Sequence, residues 1–153
     1  MIMPSLPFHG VGGPIVLGTD FGPASAAAER AAIRRAKADG ADLVIVHAID
    51  SGRMRLPGGL WRQRVDQVRA RRERDAAALV AAAREAGVAA RVLIWTGDAA
   101  TCVLDAARAE GAERIVVGTH GRGPIGRAIA GSISGVVANE ADCPVDVVRS
   151  DAG

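Results

Sequence analysis

Two rhythms divide the apolar residues of this chain. Short unbroken runs occur at Pro14-Ile-Val-Leu-Gly-Thr-Asp20, Ala41 to Ile49, Arg91-Val-Leu-Ile-Trp95, Glu113 to Val117 and Cys143-Pro-Val-Asp-Val-Val148. Continuity rather than alternation predicts strands buried on both faces, as in a parallel sheet. Between them lie stretches whose apolar positions recur at helical steps. These predict helices over Ala24 to Asp39, Leu60 to Ala86, the segment from about Thr101 to Glu110, and roughly Ser132 to Glu140. In the second, Trp61, Val65, Val68, Ala76, Leu79, Val80 and Ala83 carry the period. Pro23 suits a first helical position, Asp98 or Thr101 offers a cap, and Gly40, Gly87 and Gly111 mark stops.

Strand and helix alternate from end to end. That order implies an α/β fold, an open doubly wound sheet of parallel strands joined by right-handed crossovers, with helices on both faces. Ligands of such sheets bind beyond the carboxyl ends of the strands. Those ends are Gly18-Thr19-Asp20, His47-Ala48-Ile49-Asp50 and Gly118-Thr119-His120. At 153 residues one domain is expected. It spans 14–150, preceded by a flexible Gly- and Pro-rich arm over 1–13.

Composition narrows the classes. A net charge of +2 does not point to nucleic acid. The arginines of the second helix, Arg62 to Arg74, are interleaved with Asp66 and Glu73, which reads as a solvated face. No apolar stretch approaches the roughly 20 residues of a membrane span. The N-terminus lacks a basic region followed by an apolar core, so a cytoplasmic protein is expected. Cys102 and Cys143 make neither a disulfide framework nor a zinc site and read as small buried hydrophobes. His47 reads as a satisfied strand histidine, and no paired ligands stand at metal spacing.

The chemistry concentrates after the fourth strand. Gly121-Arg-Gly-Pro-Ile-Gly126 matches G-x-G-x-x-G, but it lies late in the chain and lacks the acid that ends the next strand of a dinucleotide fold. No Gly-Lys-Ser/Thr follows, so it is not a Walker loop either. A wider spacing is more telling: Gly118, two residues, Gly121, nine residues, Gly131-Ser132. A strand, a glycine-rich loop and a helix start in this order present backbone N–H groups to phosphate.

This G-x2-G-x9-G-(S/T) pattern resembles the ATP-binding branch of the universal stress protein family. Ile15-Val-Leu-Gly-Thr-Asp20, Leu43-Val-Ile-Val-His-Ala-Ile-Asp50, Val117-Gly-Thr-His-Gly-Arg-Gly123 and Asp142-Cys-Pro-Val-Asp-Val-Val148 are similar to that family's successive motifs. The resemblance implies five parallel strands in the order 3-2-1-4-5. It also implies a site for ATP or a related adenine nucleotide, with Mg²⁺ or Mn²⁺ carried on the phosphates. Asp20 and the Ala48 backbone would meet the adenine side, beside Thr19, with Gly18 and Val117 flanking sugar and base. Gly118 and Gly121 would let the backbone approach ribose and phosphate, a role that suits glycine. Gly131, Ser132 and Ile133 would hold the phosphates, and Arg122 could neutralise their charge.

Some positions depart from the family pattern. Gly22 stands where Ser is common, Ala48 where Val is common, and Asp146 interrupts the last aliphatic run. Members commonly dimerise by pairing that strand, so a homodimer is expected, although an acid there is a known guard against edge pairing. No catalytic constellation stands out. A nucleotide-binding stress or signalling module is the first reading. A non-nucleotide interaction module of the same fold and a slow ATPase remain its alternatives.

Overall fold

The computed structural model describes residues 12–50, 60–119 and 133–150. Five strands are present: β1 Ile15–Gly18, β2 Leu43–Ile49, β3 Ala90–Thr96, β4 Arg114–Thr119 and β5 Val145–Arg149. Four α-helices alternate with them: α1 Ala26–Asp39, α2 Leu60–Glu85, α3 Ala99–Glu110 and α4 Ile133–Glu140. The strands form one parallel sheet in the order β3-β2-β1-β4-β5. This is the expected α/β architecture, strand order included.

Element ends differ from the sequence reading for local reasons. β1 stops at Gly18, two residues early, because side-chain hydrogen bonds take over the turn that follows. The Pro23 segment forms a 3-10 turn, Pro23–Ser25, before α1 begins. β5 starts at Val145, because Pro144 has no N–H for a ladder, although its carbonyl still accepts from the Ile115 N–H at 3.0 Å. Asp98, not Thr101, is the cap of α3: its carboxylate accepts from the Thr101 N–H at 3.0 Å and the Thr101 hydroxyl at 2.9 Å. Those bonds hold the Asp98 carboxyl below its usual range. Gly40 and Gly111 close α1 and α3 with left-handed φ of 63° and 61°.

Each sheet face has its own core. Ile15, Leu17, Leu43, Ile45 and Val116 pack against α1 and α2. Val16, Val44, Val46, Ile115 and Val117 pack against α3 and α4. α1 meets the sheet through Ala28, Ala32 and Ala36, all fully buried. These alanines thus have a structural use: a helix face without long side chains lies close on the sheet.

The sheet margins are β3 and β5. Alternate residues of a parallel strand turn both peptide groups to the same side. The bonds Leu43 N–H to Ala89 O and Gly97 N–H to Ile49 O turn the odd residues of β3 inward, so the Ile94 carbonyl faces outward. Arg69 of α2 reaches over to donate to that carbonyl at 3.2 Å and to the Thr96 hydroxyl at 3.4 Å. On the other margin Asp146 accepts from Arg114 of β4 at 2.7 Å. The acid that interrupts the last strand is therefore neutralised within its own chain.

Candidate functional site

At the carboxyl edge of the sheet, β1 and β4 run side by side. A cleft of about 230 Å³ opens there. Of the site residues expected from the sequence, Gly18, Thr19, Asp20, Ala48, Val117, Gly118 and Ile133 all line it. Gly121, Arg122, Gly131 and Ser132, like His120, lie outside the described residues. The structure adds residues the sequence reading did not select: Ser25, Val46, Ala99, Val103 and Ser134. Ser134 is 2% exposed in the first turn of α4. Ser25, five positions after Asp20, bonds its carboxylate, and that spacing is the signal that could have found it.

The backbone of Ala48 is placed by ladder parity. Val46 turns its peptide groups toward β1, where its carbonyl accepts the Thr19 N–H at 3.1 Å. Ala48, two residues on, turns the same way. The β1 register ends at Gly18 opposite Val46, so the Ala48 N–H and C=O face the gap beyond β1. A donor and an acceptor side by side can read the edge of a flat heterocycle.

The glycines act differently from each other. A Cβ on Gly18 would stand 2.8 Å from Val103 Cγ2 and 3.2 Å from Val117 Cγ1. Gly18 thus lets α3 come down onto the strand end. A Cβ on Gly118 would meet Ala28 Cβ at 3.4 Å and the Ala24 carbonyl at 3.5 Å, an ordinary contact. Its side-chain space belongs to the packing of β4 against the start of α1. The Cβ direction at Gly118 is thus toward the start of α1, while its backbone lines the cleft.

The turn after β1 is built from side chains. Asp20 Oδ1 accepts from the Gly22 N–H and from the Ser25 hydroxyl, both at 2.7 Å. The Phe21 N–H donates to Thr19 Oγ1 at 2.9 Å, and the Thr19 hydroxyl donates to Glu29 Oε1 at 2.9 Å. Among the described residues Phe21 is the only non-glycine with positive φ, at 60°. For a residue with a bulky side chain that conformation costs about 1–2 kcal/mol. Its ring lies against His47, with centroids 5.0 Å apart.

His47 is buried on β2, and its Nδ1 lies 2.8 Å from the Thr19 carbonyl. A carbonyl can only accept, so Nδ1 carries a hydrogen. The sequence reading of a satisfied histidine holds, and the residue also lines the cleft. Burial lowers its pKa from 6.5, aided by Arg72 and opposed by the Thr19 carbonyl, Asp20 and Asp75. Burial raises the pKa of Glu29, with Asp20 and Asp75 adding to the rise and the Thr19 bond and Arg30 opposing it.

The sign of the His47 effect is defined. Below pH 6.5 the unfolded chain takes up a proton that the folded chain resists, so this histidine lowers stability as pH falls through that value. Glu29 works in the opposite sense, beginning closer to its ordinary 4.5. His47→Asn is expected to flatten the fall of the urea midpoint between about pH 7 and pH 5.5. Parallel pH profiles for the two proteins would show that His47 is not the titrating group.

Burial raises the Cys102 thiol pKa, with Asp105 and Asp98 adding to it, and burial likewise raises that of Cys143. Both shifts favour the protonated thiol, which accords with packing roles. Among the described residues no group of three or more His, Cys, Asp or Glu could hold a metal ion. Among the same residues no helix is long and apolar enough to cross a membrane.

A parallel sheet of this strand order, with a cleft at its carboxyl edge, defines a doubly wound α/β domain of the ligand-binding kind. Comparison with known proteins narrows this. The model of the universal stress protein family matches residues 13–149. A universal stress protein of Thermus aquaticus is 37% identical over 139 residues, which covers 86% of this chain and 93% of the relative. The chain belongs to the universal stress protein family. Among solved structures, a family member from Burkholderia pseudomallei is 28% identical with a TM-score of 0.74, covering 92% of this chain and 98% of that one. The universal stress protein of Archaeoglobus fulgidus in complex with dAMP shares the fold at 20% identity and a TM-score of 0.68, covering 90% of this chain and 98% of that one.

Proposed function

We propose that residues 14–150 form an adenine-nucleotide-binding stress or signalling module that takes ATP in the cleft at the carboxyl edge of the sheet. One observation carries this reading: seven site residues expected from separate motifs converge on that single cleft. The dAMP complex of the Archaeoglobus protein supports the ligand class. In this reading the Ala48 N–H and C=O meet the adenine edge, and Val46, Val103 and Val117 form the apolar walls. Asp20 stands beside the base and sugar. The phosphates run toward the start of α4, where Gly131, Ser132 and Ile133 supply N–H donors, with Gly121 and Arg122 completing the loop.

In this reading a divalent ion is part of the ligand. Asp20 offers one carboxylate, and its Oδ1 already accepts two hydrogen bonds. Mg²⁺ or Mn²⁺ would therefore arrive on the phosphates, a common mode for Mg²⁺. Homodimerisation through β5 is part of the same proposal. The Arg114–Asp146 pair supports it, because the acid does not bring an unmatched charge to that margin. A cytoplasmic location and the lack of a nucleic-acid partner remain part of the reading.

The test is calorimetric titration of nucleotide-stripped protein with Mg-ATP, AMP and GTP, beside Gly131→Val. The parent is expected to bind ATP with Kd below about 1 mM, near −4 kcal/mol. AMP should bind more weakly, and GTP should not compete. The valine variant should lose ATP. If neither protein binds any of the three, the cleft is not a nucleotide site, and the interaction-module reading takes over. Steady ATP turnover that survives purification and is lost on Asp20→Ala would instead establish an ATPase.

A further inference from the structure

Glu29 raises a question that nucleotide binding alone does not answer. It lies in the first turn of α1, half-buried, and burial raises its pKa. It does not line the cleft. A carboxylate taken partly out of water is unfavourable unless something there needs an acceptor. What Glu29 meets is the hydroxyl of Thr19, ten residues earlier.

A hydroxyl has one hydrogen to give and lone pairs to receive. Glu29 takes the hydrogen of Thr19, which leaves the oxygen as an acceptor facing the Phe21 N–H. Bonds in such a relay strengthen one another. The Thr19 carbonyl is fixed separately by His47 Nδ1. Two elements of the fold, α1 and β2, therefore grip the two polar ends of one residue. Directly after that residue come Asp20 and the left-handed Phe21. A strained backbone persists only where its surroundings over-determine it. Here those surroundings are the relay from Glu29 and the His47 ring against Phe21.

We infer that Glu29 is a positioning residue for the nucleotide: together with His47 it holds the Thr19–Gly22 turn in its left-handed form and so presets Asp20 at the cleft. This rests on the nucleotide reading above. Nucleotide affinity then depends on a side chain that does not touch the nucleotide. What Glu29 supplies is an acceptor, so a neutral residue with a carbonyl oxygen at the same reach can replace it.

Glu29→Gln and Glu29→Ala separate these points. Three quantities are measured on each: the Kd for Mg-ATP, the hydrogen exchange of the Phe21 amide in nucleotide-free protein, and the urea midpoint. The exchange of the Thr101 amide, held by Asp98, serves as an internal reference. Glu29→Ala is expected to weaken ATP at least about tenfold and to speed Phe21 exchange by a similar factor, the scale of a lost charge-assisted bond. Thr101 should be unchanged in both. Glu29→Gln should stay within about threefold of the parent in both readouts. Parent-like ATP affinity in the alanine variant, or equal losses in both variants, overturns the inference. So does a Thr101 amide that accelerates with Phe21, because that is general loosening. If the parent itself binds no ATP, the nucleotide reading falls first. Phe21 exchange then decides alone: faster in Glu29→Ala only, the grip on the turn stands; unchanged, it is gone.

Discussion

Gly18→Val is expected to weaken nucleotide binding by at least about 100-fold, near 2.7 kcal/mol. The reason is local geometry. Even the first carbon of a side chain would stand 2.8 Å from Val103 and 3.2 Å from Val117. Both valines line the cleft, one from α3 and one from β4. A branched side chain must either displace α3 or fill the cleft. Overpacking of this kind costs about 1–3 kcal/mol of stability, which a folded domain of this size tolerates. The variant should therefore remain folded by circular dichroism while failing to bind in calorimetry. A folded variant with unchanged affinity would remove the ligand from this cleft.

The second large effect is on the fold itself. Leu17→Ala should lower stability by about 3–4 kcal/mol. Leu17 is fully buried on β1, the central strand, between Ile45 and Val116 of its neighbours on the same face. Opposite lie the alanines of α1, which have no side chains long enough to fill a hole. The strand is hydrogen-bonded on both sides and cannot shift to close it. With a urea dependence of about 2 kcal/mol per molar, the midpoint should fall by roughly 1.5–2 M. A loss below about 1 kcal/mol would mean that this face is packed otherwise.

Much of the fold was legible because its signals are local. Each buried strand is a continuous apolar run, and each of α1 and α3 closes on a glycine whose φ is positive. Strand ends were less legible, because they depend on side chains. Thr19 and Asp20 look like strand continuation, yet their oxygens capture the Phe21 and Gly22 N–H groups and turn the chain. The cleft was legible through its motif residues at the strand ends. Val103 and Ala99 were not, since they are ordinary apolar positions of α3 that become cleft walls only when the helix packs. The Glu29 contact and the Arg69 bond to the Ile94 carbonyl span 10 and 25 residues. No spacing rule within a single helix or strand anticipates either.

Arg69 also bears on how copies of this chain can meet. By occupying an outward carbonyl of β3 it removes one strand-pairing acceptor from that margin of the sheet. Growth of an endless ribbon by strand addition requires two receptive margins per molecule. With the Ile94 acceptor taken, the β3 margin is the less receptive of the two. Strand addition at β3 is then disfavoured, which favours a closed pair over an extended fibre.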